Sequence, residues 1–302
     1  MRIGFFGDSI WAQKALIRLI EDKRYEVAFV VPRYQNPDLQ LIEMASKHHI
    51  PVLKIKNVND ENFLEQIKRL NIDLNVSMSF DQIIKKDLIH VARKGFINCH
   101  AGALPFYRGR NILNWVLING EQHFGVTVHY IDEGIDTGDI ILQHIEPISL
   151  QDTYNDLLIK CYDICPDILI KAIHTIYDRT AERIQQSTIH PVGFYCGKRI
   201  EGDEIVKWEW TSERIYNFVR AISYPAPYAQ TRLSNNQTIK IAKASLIKNA
   251  PIYIGTCGEV VGRDHRGIVV KTGDSTILIE KIVSDDGVSV HTPQFPIGCR
   301  FK

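Results

Sequence analysis

The first half of the chain alternates between short apolar runs and stretches whose apolar residues recur at helical spacing. "MRIGFFGDS" is an apolar run closed by Gly7-Asp8-Ser9, and the following "IWAQKALIRLIED" sets Ile10, Ala15, Leu16, Leu19 and Ile20 on one helical face. "YEVAFVV", ended by Pro32, predicts a strand, "QLIEMASKHH" a helix and "PVLKIK" a further strand. "DENFLEQIKRL" predicts a helix whose acidic opening suits the positive end of the helix dipole. "DLNVSMSF", "KDLIHVAR" and "GFINCHAG" continue as strand, helix and strand. This alternation predicts an α/β fold with a largely parallel sheet and helices on both faces.

Beyond it, "NILNWVLING" predicts a helix, and "FGVTVHYID" and "DIILQHIEPI" predict strands, Val126, Val128 and Tyr130 alternating with Thr127 and His129. "DTYNDLLIKCYDICPDILIKAIHTIYD" is a long helical region in which Pro166 is expected to kink or break the helix. Periodicity then fails through "STIHPVGFYCGKRIEGDEI", the signature of a linker with a few specific contacts. From about residue 206 a single helix, "SERIYNFVRAIS", precedes short strand-like runs punctuated by Asn235-Asn236, Gly273-Asp274 and Asp286-Gly287. The expected organisation is an α/β domain over 1–190, a linker over 191–205 and a small β-rich, barrel-like domain over 206–302.

Charge narrows the range of partners. Lys+Arg at 36 against Asp+Glu at 35 leaves a formal net charge of +1, without the basic excess that phosphate-backbone binding draws on. The six cysteines are scattered, and the Cys161 and Cys165 pair lies in the long helical region without a CxxC or paired-His pattern, so they are read as reduced structural thiols. No window reaches about 18 apolar residues, and "MRIGFFG" has neither an h-region nor a cleavage site. A cytoplasmic protein without a membrane partner is expected. A dinucleotide is not, because only Gly4 and Gly7 stand where the phosphate fingerprint needs three glycines. The backbone N–H groups after Gly7 remain candidates for another anion, such as a diphosphate.

Candidate chemistry gathers in two segments. In "FINCHAGALPFYRGRNILNWVLINGE", strand alternation makes Asn98 and His100 project together just before a loop broken by Gly102 and Pro105. In "GVTVHYIDEGIDTGDII", Gly134 and Gly138 flank Ile135-Asp136-Thr137, so the backbone can fold around one inward-facing acid. The calcium-loop spacing is absent, and a metal site built on His129 and these acids is the weaker reading, so no metal is expected. An amide beside an imidazole can hold a developing oxyanion while the imidazole handles a proton, and a carboxylate can orient that imidazole. No protein nucleophile is needed, which suits direct acyl transfer between two bound small molecules.

Asn98-x-His100, "LPFYRG", "GVTVHYID" and "GIDTGDI" together resemble the signature of the folate-dependent formyltransferases, and the resemblance runs over nearly the whole chain, through "GKRIEGDEIVKWEW" and "IYNFVRAISYPAPYAQT". It implies a Rossmann-like catalytic domain with an OB-like C-terminal domain, and 10-formyltetrahydrofolate as formyl donor. Asn98, protonated His100 and Asp136 would be catalytic. The folate would lie near Phe80, Asp81, Gln82 and Ile83, with Leu104 and Asp139. Two positions depart from the family pattern: Gly102 replaces the usual Ser, and Tyr228 the usual Gly.

Methionyl-tRNA formyltransferases typically carry a basic, glycine-rich insertion after the second strand, whereas here "VVPRYQNPDLQLIEMA" has one Arg and no Lys. The resemblance is therefore nearest to enzymes that formylate amino sugars on a nucleoside diphosphate, as in O-antigen-type lipopolysaccharide biosynthesis. A tRNA enzyme, or a catalytically silent nucleotide-sugar binding protein, are the alternatives. Expected acceptor contacts are Gly7, Trp11, Tyr107, Arg108, Lys198, Arg199 and Tyr228. For the C-terminal domain the sequence leaves two roles open, docking the acceptor or making a homodimer contact.

Overall fold

The computed structural model describes every residue of 1–302 except Ala226 and Asp285. Two compact units emerge: Met1–Ile112 with His123–Pro147 and Ile159–Gly197, and Leu113–Gln122 with Ile148–Leu158 and Lys198–Lys302. Along the chain run β1 (Arg2–Gly7), α1 (Ser9–Glu21), β2 (Glu26–Val31), α2 (Leu39–Lys47), α3 (Glu61–Arg69), β3 (Leu74–Met78), α4 (Lys86–Ile89) and β4 (Phe96–His100). β5 (Arg108–Gly109), α5 (Ile112–Ile118), β6 (His123–Tyr130), β7 (Ile140–Pro147), α6 (Tyr154–Asp178), α7 (Gln186–Ile189) and β8 (Tyr195–Cys196) follow.

The first unit is built on a six-stranded sheet in the order β2-β1-β3-β4-β6-β7. Its first four strands are parallel, and β6 and β7 add an antiparallel edge. Phe6 anchors the core, edge-on to Phe29 and Phe63 and 4.9 Å from the Phe96 ring. Each such ring stabilises the fold by roughly 1.5–3 kcal/mol through burial. Asp38 and Asp60 cap α2 and α3 by accepting backbone N–H bonds, at about 1 kcal/mol each.

Four local expectations change. "PVLKIK" forms only a single bridge, Val30 to Val52, because Pro51 brings no N–H and the segment lies beyond the edge of β2. The helix expected over 86–93 ends at Ile89, and Ala92 turns into the core instead. α6 passes through Pro166 without a break, since Cys161, Cys165, Leu169 and Ala172 bury one face along its length and outweigh one missing hydrogen bond. Residues 191–197, expected as linker, belong to the first unit, where Tyr195–Cys196 pair with Arg108–Gly109.

In the second unit, α8 (Ser212–Ala221) precedes β9 (Ala229–Arg232), β10 (Thr238–Leu246), β11 (Val260–Asp264), β12 (Gly267–Lys271), β13 (Thr276–Val283) and β14 (Val290–His291). The antiparallel order is β11-β12-β13-β10-β9, with β14 on β13. The last residues join the two edges: Lys302 exchanges backbone bonds with Arg232, and Val260 N–H donates to the Cys299 carbonyl. That closure makes the sheet barrel-like. Among the described residues, no helix is long and apolar enough to cross a membrane.

Candidate active site

Strand β4 sends Asn98 and His100 to one face and Cys99 to the other, where its Sγ lies 3.6 Å from the Cys165 carbonyl. The antiparallel register sets His129 of β6 directly opposite Asn98 and Thr127 opposite His100. Asn98 Nδ2 and His129 Nε2 are 3.4 Å apart. After β6 the chain turns on Asp132, whose carboxylate accepts from Gly134 N–H and Thr137 Oγ1, and this turn brings Asp136 back over β4. The Asp136 Oδ2 lies 3.6 Å from His100 Nδ1 and accepts the Gly109 N–H at 2.9 Å. Its Oδ1 lies 3.5 Å from His129 Nε2. Asp136 has φ 53°, a left-handed conformation that costs a non-glycine residue on the order of 1–3 kcal/mol and needs outside support.

Electrostatics separate the roles of the three groups. Burial alone would raise the Asp136 pKa, but His100, His129 and the Gly109 N–H outweigh it and hold the carboxyl well below the usual carboxylate range. Burial pushes His100 down, and Asp136 and the Tyr107 carbonyl offset this only in part. The site therefore pairs an ionised carboxylate with an imidazole that burial biases toward its neutral form. His100 Nε2 lies 2.7 Å from the Tyr107 carbonyl, so Nε2 carries the proton and donates it there. The Nδ1 lone pair then faces Asp136. Burial favours the neutral ring over the imidazolium expected from sequence, while Asp136 and the Tyr107 carbonyl favour the charged one.

Gly102 makes this clasp close. A Cβ there would sit 2.5 Å from both His100 Nε2 and the Tyr107 carbonyl oxygen. The same loop is pinned by Thr127 Oγ1, which donates to the Gly102 carbonyl at 2.6 Å, and by Gln143 Nε2, which donates to the Leu104 carbonyl at 2.9 Å. Beside the Asp136 loop lies a cleft of about 290 Å³ lined by Arg108, Thr137, Asp139, Gln186 and His190, among others. Among the described residues, no group of three or more His, Cys, Asp or Glu side chains could hold a metal ion.

Two family models match the sequence. The model described as formyl transferase matches residues 1–173, and that of the formyl transferase C-terminal domain matches 200–300. The chain belongs to the formyl transferase family. Its members are enzymes that transfer formyl groups, and this chain is an N-formyltransferase. A methionyl-tRNA formyltransferase of Fusobacterium nucleatum is 32% identical over 289 residues, covering 92% of this chain and 91% of that protein. The crystal structure of WlaRD, a sugar 3N-formyl transferase in the presence of dTDP and 5-N-formyl-THF, aligns with a TM-score of 0.69 at 25% identity, over 93% of this chain and 97% of that one. An N-formyltransferase from Helicobacter canadensis, in complex with folinic acid and dTDP-3-aminofucose, shares the fold with a TM-score of 0.66 at 24% identity, covering 92% and 98%.

The other residues singled out from sequence fall into three groups. Phe80 packs edge-on against Phe6, Gln82 bonds Val58 N–H and the Ile55 carbonyl, Ile83 is 65% exposed, and the Asp81 carbonyl is 3.5 Å from Arg110 Nη2. Leu104 is buried, and Asp139 lies 3.6 Å from Arg183 Nε. Among the acceptor candidates, several are already committed to packing. The Tyr107 ring is buried against Phe194, so it offers its carbonyl to the site and not a stacking face. Trp11 packs edge-on to Tyr162. Gly7 is needed for closeness, since a Cβ would meet Phe5, Ala12 and the Met78 carbonyl within 3.1 Å. The buried carboxylate of Asp8 sits at the head of α1, where an anion was expected. Lys198, Arg199 and Tyr228 belong to the second unit. There Arg199 is half-buried, with Asp203 and Glu204 as its acidic neighbours.

Sequence reasoning missed Gln186. It lies in the aperiodic stretch, yet its side chain is buried, accepts the Arg108 guanidinium and donates to the Asp136 loop. Arg108 is thus held from the side, with its Cζ 5.4 Å above the Tyr195 ring.

Proposed function

We propose that the chain transfers the formyl group of 10-formyltetrahydrofolate to the amine of a nucleoside-diphosphate-linked amino sugar, in the synthesis of a surface glycan such as an O-antigen. The observation that carries the choice of acceptor is the connection from β2 to α2. It spans 32–38 and contains one cation, Arg33, whose Nε and Nη2 donate to the Ser79 carbonyl at 3.0 and 2.6 Å. Gripping a tRNA draws on many cations free to meet phosphates, and this loop offers none. The likeness to WlaRD, crystallised with dTDP and 5-N-formyl-THF, supports the same acceptor class and a folate donor. A second reading, formylation of methionyl-tRNA, is favoured by relatives of that name at about a third identity.

In this mechanism the folate lies between Phe80–Ile83 and the Asp136 loop, with exposed Ile83 as an apolar contact. The sugar's neutral amine attacks the formyl carbon, forming a C–N bond and a tetrahedral oxyanion. Asn98 Nδ2 donates to that oxyanion, and one such donor is worth on the order of 3 kcal/mol. His100 Nδ1 and Asp136 Oδ2 are both acceptors, 3.6 Å apart, and both face the same point. A proton leaving the amine nitrogen is stabilised there and passes to N10 of the folate as the C–N10 bond breaks, which yields tetrahydrofolate and the formamide. Such acid–base assistance contributes roughly 10²–10⁴-fold. Arg108, on the wall of the cleft beside the Asp136 loop, is the candidate for a sugar or phosphate oxygen. The test incubates the enzyme with 10-formyltetrahydrofolate and a panel of nucleotide-linked amino sugars, reading formamide by mass spectrometry. Formylation of at least one is expected, and activity on none of them would reject the reading.

A further inference from the structure

Helix α7 is a four-residue turn in a stretch without hydrophobic period, and its first residue links the parts of the site. Gln186 is only 4% exposed, and every hydrogen-bonding position of its amide is filled. Its Nε2 donates to the carbonyls of Asp136 and Gly138, each at 2.8 Å. Its Oε1 accepts from Arg108 Nε at 3.0 Å and Nη2 at 2.6 Å. Gly109, the next residue, donates its N–H to Asp136 Oδ2. One amide therefore clamps both sides of that contact: the loop bearing the carboxylate, and the strand bearing its N–H donor. The groups facing the carboxylate are His100 from β4, His129 from β6 and the Gly109 N–H from β5. A shift of the Asp136 loop alters all three contacts at once.

We propose that Gln186 is a positioning residue for formyl transfer, holding the Asp136 carboxylate in register with His100 through paired bonds to the Asp136 loop and to Arg108. This rests on the formyl-transfer reading and is independent of which amine accepts the group. The test uses the full-length enzyme with whichever acceptor the wild type formylates, so failure of the acceptor assignment shows in the wild type and failure of this inference only in the variants. Gln186→Glu keeps the Arg108 contact but points a carboxylate oxygen at two carbonyls, whereas Gln186→Met removes all four bonds. For both, kcat is expected to fall at least about tenfold with acceptor KM within about threefold. The acid limb of the kcat–pH profile, set by protonation of the His100 acceptor, is expected to move to lower pH, because a carboxylate drawn away from the ring no longer raises its pKa. A purely structural role would lower the melting temperature and the height of the profile but leave that limb in place. Wild-type kcat in Gln186→Met, or an unmoved limb in either variant, overturns the proposal. Should both fail to fold, Arg108→Met, which removes two of the four bonds, is expected to move the limb in the same direction, and an unmoved limb there is equally decisive.

Discussion

Replacing Asp136 by Asn isolates the charge of the carboxylate from its shape. The amide is isosteric, so its oxygen can keep the Gly109 N–H bond at 2.9 Å while its NH₂ faces His129 Nε2 across the present 3.5 Å. Asn98 Nδ2 lies 3.4 Å from that same nitrogen, and His129 Nδ1 lies 2.7 Å from the Tyr130 carbonyl, so the ring keeps its other neighbours. Packing and hydrogen bonding therefore survive, and only the proton-accepting charge is lost. Removing a general base costs roughly 10²–10⁴-fold in rate, and at 1.36 kcal/mol per tenfold this is about 2.7–5.4 kcal/mol of transition-state stabilisation. The assay is kcat for formyl transfer alongside thermal melting. Because the folded carboxyl titrates below its unfolded value, it stabilises the protein above the ordinary carboxylate range, and this contribution fades as pH falls. Asp136→Asn lacks this term, so its melting temperature should decline less steeply than that of the wild type below about pH 4. A folded Asp136→Asn enzyme with kcat within about threefold of wild type would refute the assignment of the base.

Three further outcomes follow from the same geometry. His100→Asn removes the Nδ1 acceptor and the bond to the Tyr107 carbonyl, and kcat should drop on the order of 10²-fold with the donor KM little changed; near-normal turnover would contradict it. Gly102→Ala places a Cβ at 2.5 Å where ordinary contact begins at 3.4 Å, so His100 or the Tyr107 carbonyl must give way by the difference, 3.4 − 2.5 = 0.9 Å. Displacements near 1 Å cost on the order of 10²-fold, read as kcat, and full activity would show that the clasp is not needed. His100 is held neutral by burial, so its folded pKa lies below the unfolded value of about 6.5 and its contribution to stability is complete above that pH and lost below it. Urea midpoints should accordingly fall more steeply as pH drops below about 6.5 for the wild type than for His100→Asn, and parallel curves would count against a neutral ring.

Much of the fold was legible because its strands and helices carry clean periods. Asn98 and His100 share a face by the alternation of one strand, and the glycines around Asp136 signalled a tight loop with one acid turned inward. Their convergence depends on the antiparallel return of β6, which brings His129 against Asn98, and alternation marked that strand without giving its direction. Pro166 was misread because a local rule about one missing hydrogen bond was set against an entire buried helix face. β5 and β8 escaped notice because a two-residue pairing has no period to detect. Gln186 escaped for a related reason: a buried amide in "RIQQSTIH" leaves no hydrophobic signal, and only its bonds reveal its place. Tyr107 and Trp11 show the converse, aromatic residues that invite a stacking role in sequence but pack against Phe194 and Tyr162.

The choice of acceptor is tested most directly by kcat/KM measured side by side for the best nucleotide-linked amino sugar and for initiator methionyl-tRNA, with 10-formyltetrahydrofolate as donor. With the single cation of the 32–38 connection tied to Ser79, the sugar nucleotide is expected to be preferred by at least about 10²-fold, roughly 2.7 kcal/mol. Preference for the tRNA by a similar factor would contradict the proposed function and leave the formyl-transfer site itself intact.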